Sequence, residues 1–512
     1  MTAPEPGGRP DLRLVPAAAA AWAVTAAGIT WPPWGAPTAA AVATAATALA
    51  GWLGSGRPDP RTAAAVLGAA VTAVAALGAG LAVAVGLRTA ALADHPLAAR
   101  YGLDAAVTVT PTETPRPAGG GRVVFRADLR ALDGGPATGR VVVFASGARF
   151  GGLAAGRPAA FTARVGRPTR RDLTVAVLTA RGEPELGRAG PLSRAAAAVR
   201  TRFAAAAALV LPADQAAVLP GLVLGDTSAV SAVVTEEFRI AGLTHLTAVS
   251  GANVTIVCGT VLLSAALLGP RLAVALAGLT LVAFVIVVQP SASVLRAAVM
   301  AAVTLLALVT GRRRRALPAL CAAVVVLVVA APELAVDVGF ALSVAATAAL
   351  IVLAPRWSQR LVAAGWPKPA ADAVAVATAA QLVTAPLIAG ISGRFSVVAV
   401  AANLAVAAVI PPITVLGTAA AALAAVWPDA AMLLIRFTGP AVWWLLQVAH
   451  RAAALPGAAL PTPSGAGGVA LVAAATLAVV AGWRVRWVRA GTGLAVAAAV
   501  AWAVAGSLVG AA

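Results

Sequence analysis

The chain has 512 residues, of which 60% are hydrophobic and 11% are charged, and its mean hydropathy is +0.90. Soluble domains average about 25% charged residues, so this composition excludes an ordinary soluble protein. Apolar runs of about 18 residues or more, each long enough to cross a bilayer core, recur along the chain. We therefore expect a mainly α-helical, multi-pass protein of the cell membrane.

The net charge of +19 is carried mostly by arginine. One interpretation is the excess of basic residues in the cytoplasmic loops of membrane proteins. The other is an anionic ligand, such as nucleic acid or lipid headgroups. The chain has two cysteines, both in apolar runs, and three scattered histidines. This pattern predicts neither a disulfide framework nor a zinc or histidine metal site, and we expect no metal and no cofactor.

Residues 1–99 hold three predicted membrane helices, at 14–30, 37–54 and 63–87. The first resembles a signal peptide, but it is long enough to span and more apolar segments follow at once, so we expect it to be retained. Arg57 and Arg61 lie between the second and third helices. Placing them in the cytoplasm puts the N-terminus inside and residue 90 onward outside.

Residues 100–190 have short apolar runs bounded by turn formers, which predicts an extracytoplasmic β domain. Five strands in about 90 residues favour an OB-fold, although another small β domain fits the pattern as well. Fourteen arginines against seven acidic residues suit single-stranded nucleic acid, whereas few aromatic residues are present for stacking; a plain structural domain is the alternative. The predicted strands are 105–110, 121–132, 139–144, 159–165 and 173–179, and the candidate DNA-binding residues are Arg122, Arg126, Arg164, Arg167, Arg170 and Arg171.

Residues 191–219 are rich in alanine and carry arginines near their start. This pattern predicts an amphipathic connecting helix on the membrane surface. Asp226 and two nearby glycines then predict a tight turn, and either Ser231 or Thr235 is expected to cap a short helix that ends before Gly242.

From residue 252 the membrane region resumes, giving a bundle of about twelve or thirteen transmembrane helices, with a channel-type domain at 220–455 and further helices at 456–512. We count 396–427, broken at Pro411-Pro412, as one crossing, because this keeps three later arginines in the cytoplasm. The predicted helices are 252–269, 271–289, 291–310, 317–331, 334–354, 371–391, 396–427, 431–453, 466–483 and 490–508, and the arginines predicted to be cytoplasmic are Arg312–Arg315, Arg484, Arg486 and Arg489.

Polar residues are costly in lipid, so those in the apolar region are expected to line a cavity or to bond neighbouring helices. We take this set as candidates for a hydrated path, and Asp337 as a candidate ion-pair partner of Arg296. Ser250 and His245 lack a third catalytic member, and no phosphate-binding loop is present, so we expect no enzyme. The candidates are Asp226, His245, Ser250, Gly251, Asn253, Arg296, Asp337, Gln381 and Asn403.

Several motifs in residues 205–455 resemble those of the ComEC competence proteins, and they occur in the family's order. They are Gly221-Leu-Val-Leu-Gly-Asp226, Gly242-Leu-Thr-His245-Leu, Ala248-Val-Ser-Gly-Ala-Asn-Val254, Ser293-Val-Leu-Arg296-Ala-Ala-Val-Met300, Asp337-Val-Gly-Phe340-Ala-Leu-Ser343, Gln381 to Pro386, Phe395-Ser396 and Asn403-Leu404. The family's typical stretch has histidine where this chain has Asn253. The resemblance implies an inner-membrane channel that carries one DNA strand inward during natural transformation while the other strand is degraded outside.

Longer members of that family end in a metallo-β-lactamase-like domain, whose clustered His/Asp motif this sequence does not contain. The resemblance therefore implies either that a separate protein supplies the nuclease, or that the role of this protein differs from that of the longer family members. Besides single-stranded DNA and membrane lipids, a DNA-receptor protein and a cytoplasmic ATPase are candidate partners. Two alternatives stay open: a permease for another solute or lipid, and a membrane scaffold of a DNA-uptake complex.

Overall fold

The computed structural model describes residues 11–53, 60–247, 249–310 and 316–482. The chain divides into two units, the first formed by residues 1–201 and 257–341 and the second by residues 202–256 and 342–512. Several predictions lie outside the described residues: those on Arg57, Arg312–Arg315, Arg484, Arg486, Arg489 and the helix at 490–508.

Most of the described chain is helical. In chain order the α-helices are α1 (Val15–Thr30), α2 (Gly35–Leu53), α3 (Pro60–Ala93), α4 (Ala148–Gly151), α5 (Pro191–Val210), α6 (Ala213–Leu224), α7 (Ala232–Ile240), α8 (Thr244–Thr247), α9 (Gly251–Ser264), α10 (Pro270–Val288), α11 (Ala292–Val309), α12 (Ala316–Ala330), α13 (Val338–Val352), α14 (Ala354–Ala363), α15 (Lys368–Ser392), α16 (Ala399–Val406), α17 (Ile410–Leu423), α18 (Pro428–Ala454) and α19 (Ala466–Gly482). Short 3₁₀ helices cover Pro96–Arg100, Ala266–Leu268 and Pro332–Val336.

The strands are β1 (Asp104–Pro111), β2 (Arg116–Gly119), β3 (Arg122–Leu132), β4 (Gly135–Ser146), β5 (Ala159–Gly166), β6 (Thr174–Leu186), β7 (Arg394–Ser396) and β8 (Ala459–Pro461). All five strands predicted in residues 100–190 are confirmed. The sequence did not reveal β2, which folds back on β3 through Gly119, Gly120 and Gly121, all with positive φ. Three successive residues with positive φ require glycine. Because a run of glycines predicts only a loop, the short strand that precedes it could not be predicted.

The strands β1 to β6 form one sheet that curls into a barrel-like β domain in the first unit. The order β1-β5-β6-β4-β3 is closed by an additional pairing of β1 with β3. The pairings of these five strands are antiparallel except that between β4 and β6, which is parallel. Side chains alternate along β1, β3, β4 and β5, so that every second residue of their paired parts enters a core that includes Phe125, Phe150 and Phe161.

The β domain is attached to the ends of several helices of the first unit. Arg171 donates to the Thr30 carbonyl at the end of α1 (2.7 Å), and Thr114 donates to Gln289 just after α10 (3.3 Å). Between α12 and α13, Glu333 and Asp337 form ion pairs with arginines of β4 and β3. These helix ends therefore lie together on the side of the helices that carries the β domain.

Six helical segments are long and apolar enough to cross a membrane, judged by length and composition. The bent pair α16 and α17 makes a seventh when it is counted as one span. The number is smaller than predicted because six further apolar helices among the described residues have only 10 to 17 residues. The six segments are Leu67–Arg100, Pro270–Val288, Ala292–Val309, Val338–Ala363, Lys368–Ser392 and Pro428–Ala454.

Two of the predicted helices are divided, the first of them at a proline. The helix expected at 191–218 is two helices, because Pro212 stands between α5 and α6. The helix expected at 396–427 is also two, α16 and α17, bent by 56°. Pro411 and Pro412 lie in the first turn of α17 rather than at the break, where proline's missing N–H has no intrahelical partner to lose.

Candidate functional site

The predicted polar stretch begins where α7 ends, in the second unit. Ser231 caps the start of α7, as one of the two predicted alternatives, and its hydroxyl accepts from the Val234 N–H at 3.2 Å. Gly242 ends the helical segment with a φ of +71°. A β-carbon at Gly242 would lie 2.5 Å from the Ala399 β-carbon on α16. Glycine is therefore required both for the backbone conformation and for close contact with α16.

Three polar side chains meet the backbone at this junction. The Ser396 hydroxyl donates to the Ile240 carbonyl (2.6 Å), and the Asn403 amide donates to the Gly242 carbonyl at 3.4 Å. Gln381 donates to the Ser396 carbonyl at 3.4 Å. Carbonyls at the end of a helix have no intrahelical partner. Ser396 on β7 and Asn403 on α16 therefore hold these two elements against the end of α7, and Gln381 ties α15 to β7. Gln381 and Asn403 are both predicted path residues.

Two glutamates of α7 reinforce the same junction through contacts with β7 and α18. Glu236 on α7 bonds Arg394 on β7 (2.6 Å) and also Arg239 on its own helix. Glu237 meets the Nδ1 atom of His450 on α18 at 2.7 Å. Neither glutamate is recognisable as a site residue from the sequence, because the partner that each has on another element lies more than 150 residues further along the chain.

A second junction joins α6 to the start of α9. The Asn253 side chain is 5% exposed, and its amide donates to the Leu222 carbonyl in the last turn of α6 at 3.0 Å. The Ser250 hydroxyl donates to the Asn253 side-chain oxygen at 3.3 Å. Of the two roles expected for the polar residues, the Asn253 side chain takes the second: it is turned into the protein, where it bonds a neighbouring helix by supplying a donor to the end of α6.

The remaining predicted residues of this stretch are more accessible. Asp226 is half-buried, and its carboxylate accepts from the backbone and the hydroxyl of Ser228, which forms the predicted turn. His245 is exposed on the separate short helix α8, and Gly251 is the first residue of α9. His245 and Ser250 thus belong to different elements rather than to one continuous helix.

Arg296 and Asp337 lie in the first unit. Arg296 is buried on α11, and one of its Nη atoms donates to the Met300 sulfur at 3.2 Å. The Asp337 Oδ1 atom accepts from the Phe340 N–H at 2.8 Å and so caps α13, while Oδ2 lies 3.7 Å from an Nη atom of Arg126. The predicted pairing of Asp337 with Arg296 is thus replaced by a pairing with the β domain.

The six arginines predicted to bind DNA fall into two groups. Arg126 pairs with Asp337, Arg171 donates to Thr30, and Arg167 lies over the Tyr101 ring at 5.6 Å. The other three are exposed, and none forms an ion pair or a side-chain hydrogen bond within the part of the chain that the structure describes: Arg122, Arg164 and Arg170. Only this second group is available for a ligand without breaking a contact.

A row of outward side chains crosses the β domain beside these free arginines. Arg122 on β3 is paired with Ser146 on β4, Phe144 with Thr179 on β6, and Thr179 with Arg164 on β5. A concavity at this position is lined by Arg122, Phe144, Ser146 and Thr179, together with Ala145 and Ala180. Phe144 is half-buried on this outer face, whereas Phe125, Phe150 and Phe161 fill the core. Ser146, Thr179 and Arg140, which pairs with Glu333, were not among the residues predicted from the sequence.

The side chains that the structure describes form no metal centre. Across residues 11–53, 60–247, 249–310 and 316–482, no group of three or more His, Cys, Asp or Glu side chains is placed to hold a metal ion. The described polar side chains instead fall into two sets. One set donates hydrogen bonds to helix ends in the second unit, and the other consists of arginines exposed on the β domain.

The long apolar helices and the β domain define a multi-pass membrane protein with a polar domain attached to its helix ends. The family model described as "Competence protein" matches residues 222–502, which is more than half of the chain. The chain therefore belongs to the competence protein family, and the resemblance to the ComEC proteins is confirmed. Comparisons with curated proteins and with solved structures found no match.

Replacement of Gly242 by alanine is expected to destabilise the protein. Alanine at positive φ costs about 1–2 kcal/mol, and the clash with Ala399 adds roughly 1–3 kcal/mol. Gly457→Ala is the matched control, because Gly457 has a φ of +75° but open space around its β-carbon position. Thermal unfolding in detergent should show the larger loss for Gly242→Ala, and equal losses would contradict the contact with α16.

Substitutions of Asn253 should depend on whether the new side chain can donate a hydrogen bond. Asn253→Leu leaves the Leu222 carbonyl without its donor, at a cost of about 1–3 kcal/mol. Asn253→His, which introduces the family's typical residue, keeps a ring N–H and should retain most of the stability. Thermal unfolding of the two variants tests this, and a leucine variant as stable as the parent would refute the proposed capping.

Proposed function

We propose that this protein transports single-stranded DNA across the cytoplasmic membrane during natural transformation. The observation that carries the proposal is the competence family match over residues 222–502. The membrane-spanning helices and the exposed arginines of the β domain are consistent with it, because a DNA strand needs both a way through the bilayer and cationic contacts for its phosphates.

We infer that the β domain is an OB-fold. A closed circuit of five strands with a single parallel pairing, between β4 and β6, supports this assignment. OB-folds take oligonucleotides on the face formed by their second and third strands, which correspond here to β3 and β4. The row containing Arg122, Phe144 and Arg164 lies on and beside that face, where Phe144 would stack on a base and the arginines would hold phosphates.

The proposed orientation has a cytoplasmic N-terminus and an extracytoplasmic β domain. If α1 begins in the cytoplasm, its end at Thr30, the turn at Gln289 and the segment 332–337 all lie outside. Each of these helix ends contacts the β domain, so the contacts within the first unit agree with one orientation.

The second unit supports the prediction of one broken crossing by α16 and α17. β7 pairs with β8, so the chain returns at 459–461 to the level that it left at 394–396. The stretch between these strands must then cross the membrane an even number of times. One broken crossing followed by α18 satisfies this requirement, whereas two separate crossings followed by α18 do not.

Within the bundle, we propose that some polar residues line the DNA path, whereas others fix the positions of the helices around it. Asp226, His245 and Ser250 keep at least partly accessible side chains, and we assign them to the entrance. Gln381, Asn403 and Asn253 bond backbone carbonyls at the ends of α6, α7 or β7. We assign these three to the frame that fixes the entrance.

We further propose that the chain has no nuclease activity of its own and that a separate nuclease degrades the second strand. Transport then draws on a gradient, on the substrate or on a partner such as a cytoplasmic ATPase, and a receptor protein delivers the DNA. Membrane lipids surround the helices.

Deletion of the gene should abolish entry of labelled DNA into the cytoplasm in a transformation assay. Unchanged entry would overturn the proposed function.

A variant in which the polar residues of the bundle are replaced by leucine or alanine distinguishes a channel from a scaffold, because only a scaffold would still support uptake. A permease would instead show a narrow, uncharged cavity too small for a nucleotide.

The three free arginines should contribute directly to DNA binding. Replacing Arg122, Arg164 and Arg170 by alanine should weaken single-strand binding and reduce the salt dependence, because each phosphate contact contributes about 0.7 to the slope of log K against log salt. The measurement is a titration of the detergent-solubilised protein at several salt concentrations. A triple alanine variant of Arg100, Arg149 and Arg181, which are ion-paired within the β domain, has the same charge change, and an equal loss there would contradict these contacts.

A further inference from the structure

Two arginines lie side by side on the outer face of β3 and β4. In this antiparallel pair, Arg126 is opposite Val142 and Arg140 is opposite Asp128. Arg126 and Arg140 are thus diagonal neighbours on one face, a placement that separates side-chain origins by roughly 7–8 Å. The nearby Asp128 is 3.9 Å from a third arginine, Arg130.

Both arginines hold carboxylates from the segment between α12 and α13. An Nη atom of Arg140 lies 2.7 Å from Glu333, and one of Arg126 lies 3.7 Å from Asp337. The carboxylate side chains are only 17% and 23% exposed, whereas the arginine side chains are 45% and 52% exposed. The acidic residues are therefore set into the protein surface, with the arginines reaching them from the solvent side.

The acidic segment is fixed independently on its membrane side. The Trp22 indole N–H on α1 donates to the Ala335 carbonyl at 2.7 Å, and the Trp22 ring packs edge-on against Phe340 at 5.4 Å. The segment does not need the β domain to hold its position on α1. The two ion pairs can therefore open without releasing the segment from the helices.

We propose that Arg126 and Arg140 form a two-phosphate subsite for single-stranded DNA, which Glu333 and Asp337 occupy until DNA displaces them. The inference rests on the proposed function. Carboxylate and phosphate oxygens are alternative acceptors for the same guanidinium groups. The arginine partners are about half exposed, and solvent screening weakens ion pairs of this kind. A DNA strand already held by Arg122 and Arg164 on the same domain can therefore exchange them.

Displacement of the carboxylates links DNA binding to the membrane helices. Phosphate binding to Arg126 and Arg140 releases the β domain from the 332–337 segment at the start of α13. Asp337 continues to cap α13 through its bond with the Phe340 N–H. DNA binding to the β domain thus changes the contacts at the start of α13, while α13 itself remains helical.

The test is the affinity of the full-length protein, in detergent micelles, for a fluorescent oligothymidylate. The double variant Glu333→Gln/Asp337→Asn removes both competing charges, and the asparagine side chain keeps an oxygen that can cap α13. Its affinity should be about fivefold higher than that of the parent protein, the scale of two weak exposed pairs. Arg126→Gln/Arg140→Gln should bind more weakly than the parent.

The matched control is Asp104→Asn/Glu183→Gln. It removes two carboxylates that pair with Arg181 and Arg149 inside the β domain, so its net charge change is the same. Its affinity should stay close to that of the parent. Equal tightening in both double variants would overturn the subsite, since net charge alone would then explain the gain.

Two further outcomes separate this inference from the proposed function. If the parent binds the oligonucleotide but neutralising Glu333 and Asp337 leaves binding unchanged or weaker, the competition is refuted while DNA binding stands. If neither the parent nor any variant binds, DNA recognition by the β domain fails together with the subsite. Thermal unfolding of each variant establishes that the compared proteins are folded.

Discussion

The need to satisfy backbone carbonyls at helix ends is the constraint on which the second unit depends. The last carbonyls of a helix have no intrahelical partner, and a lipid environment offers no water to replace one. Here the donors are side chains from distant parts of the chain: Asn253 serves α6, and Ser396 serves α7. Because each of these bonds joins two elements, the same polar atoms that satisfy the backbone also fix how α6 meets α9 and how α7 meets β7.

This constraint explains why polarity alone could not separate residues of the proposed transport path from residues that bond helix ends. In an apolar sequence, a polar residue that lines water and one that caps a neighbouring helix look the same. Asn253, Gln381 and Asn403 all stood out for their cost in lipid, yet the structure gives each of them a backbone carbonyl as its partner. The bonded residues are separated by 15 to 161 positions in the chain, and no local pattern encodes such a pairing.

Local patterns were sufficient where local chemistry decides the structure. Short apolar runs bounded by turn formers predicted five of the six strands of the β domain, and Ser231, which caps α7, was one of the two predicted caps. Helix lengths were less predictable, because Pro212 divides a continuous alanine-rich run and many apolar runs form helices of only 10 to 17 residues. The family motifs identified the protein's class correctly, since they depend on residue order and not on geometry.

The charge of the β domain is not uniform along its outer face, and this gradient gives the proposed DNA binding a direction. At one end Arg122 and Arg164 flank Phe144, with no carboxylate of the described residues paired to either arginine. Further along β3 and β4, Arg126 and Arg140 are neutralised by Asp337 and Glu333 beside α13. A polyanion gains most by binding first where the cations are free. It then advances by exchanging weak pairs, so the order of binding along this face would run from the free arginines toward the membrane helices.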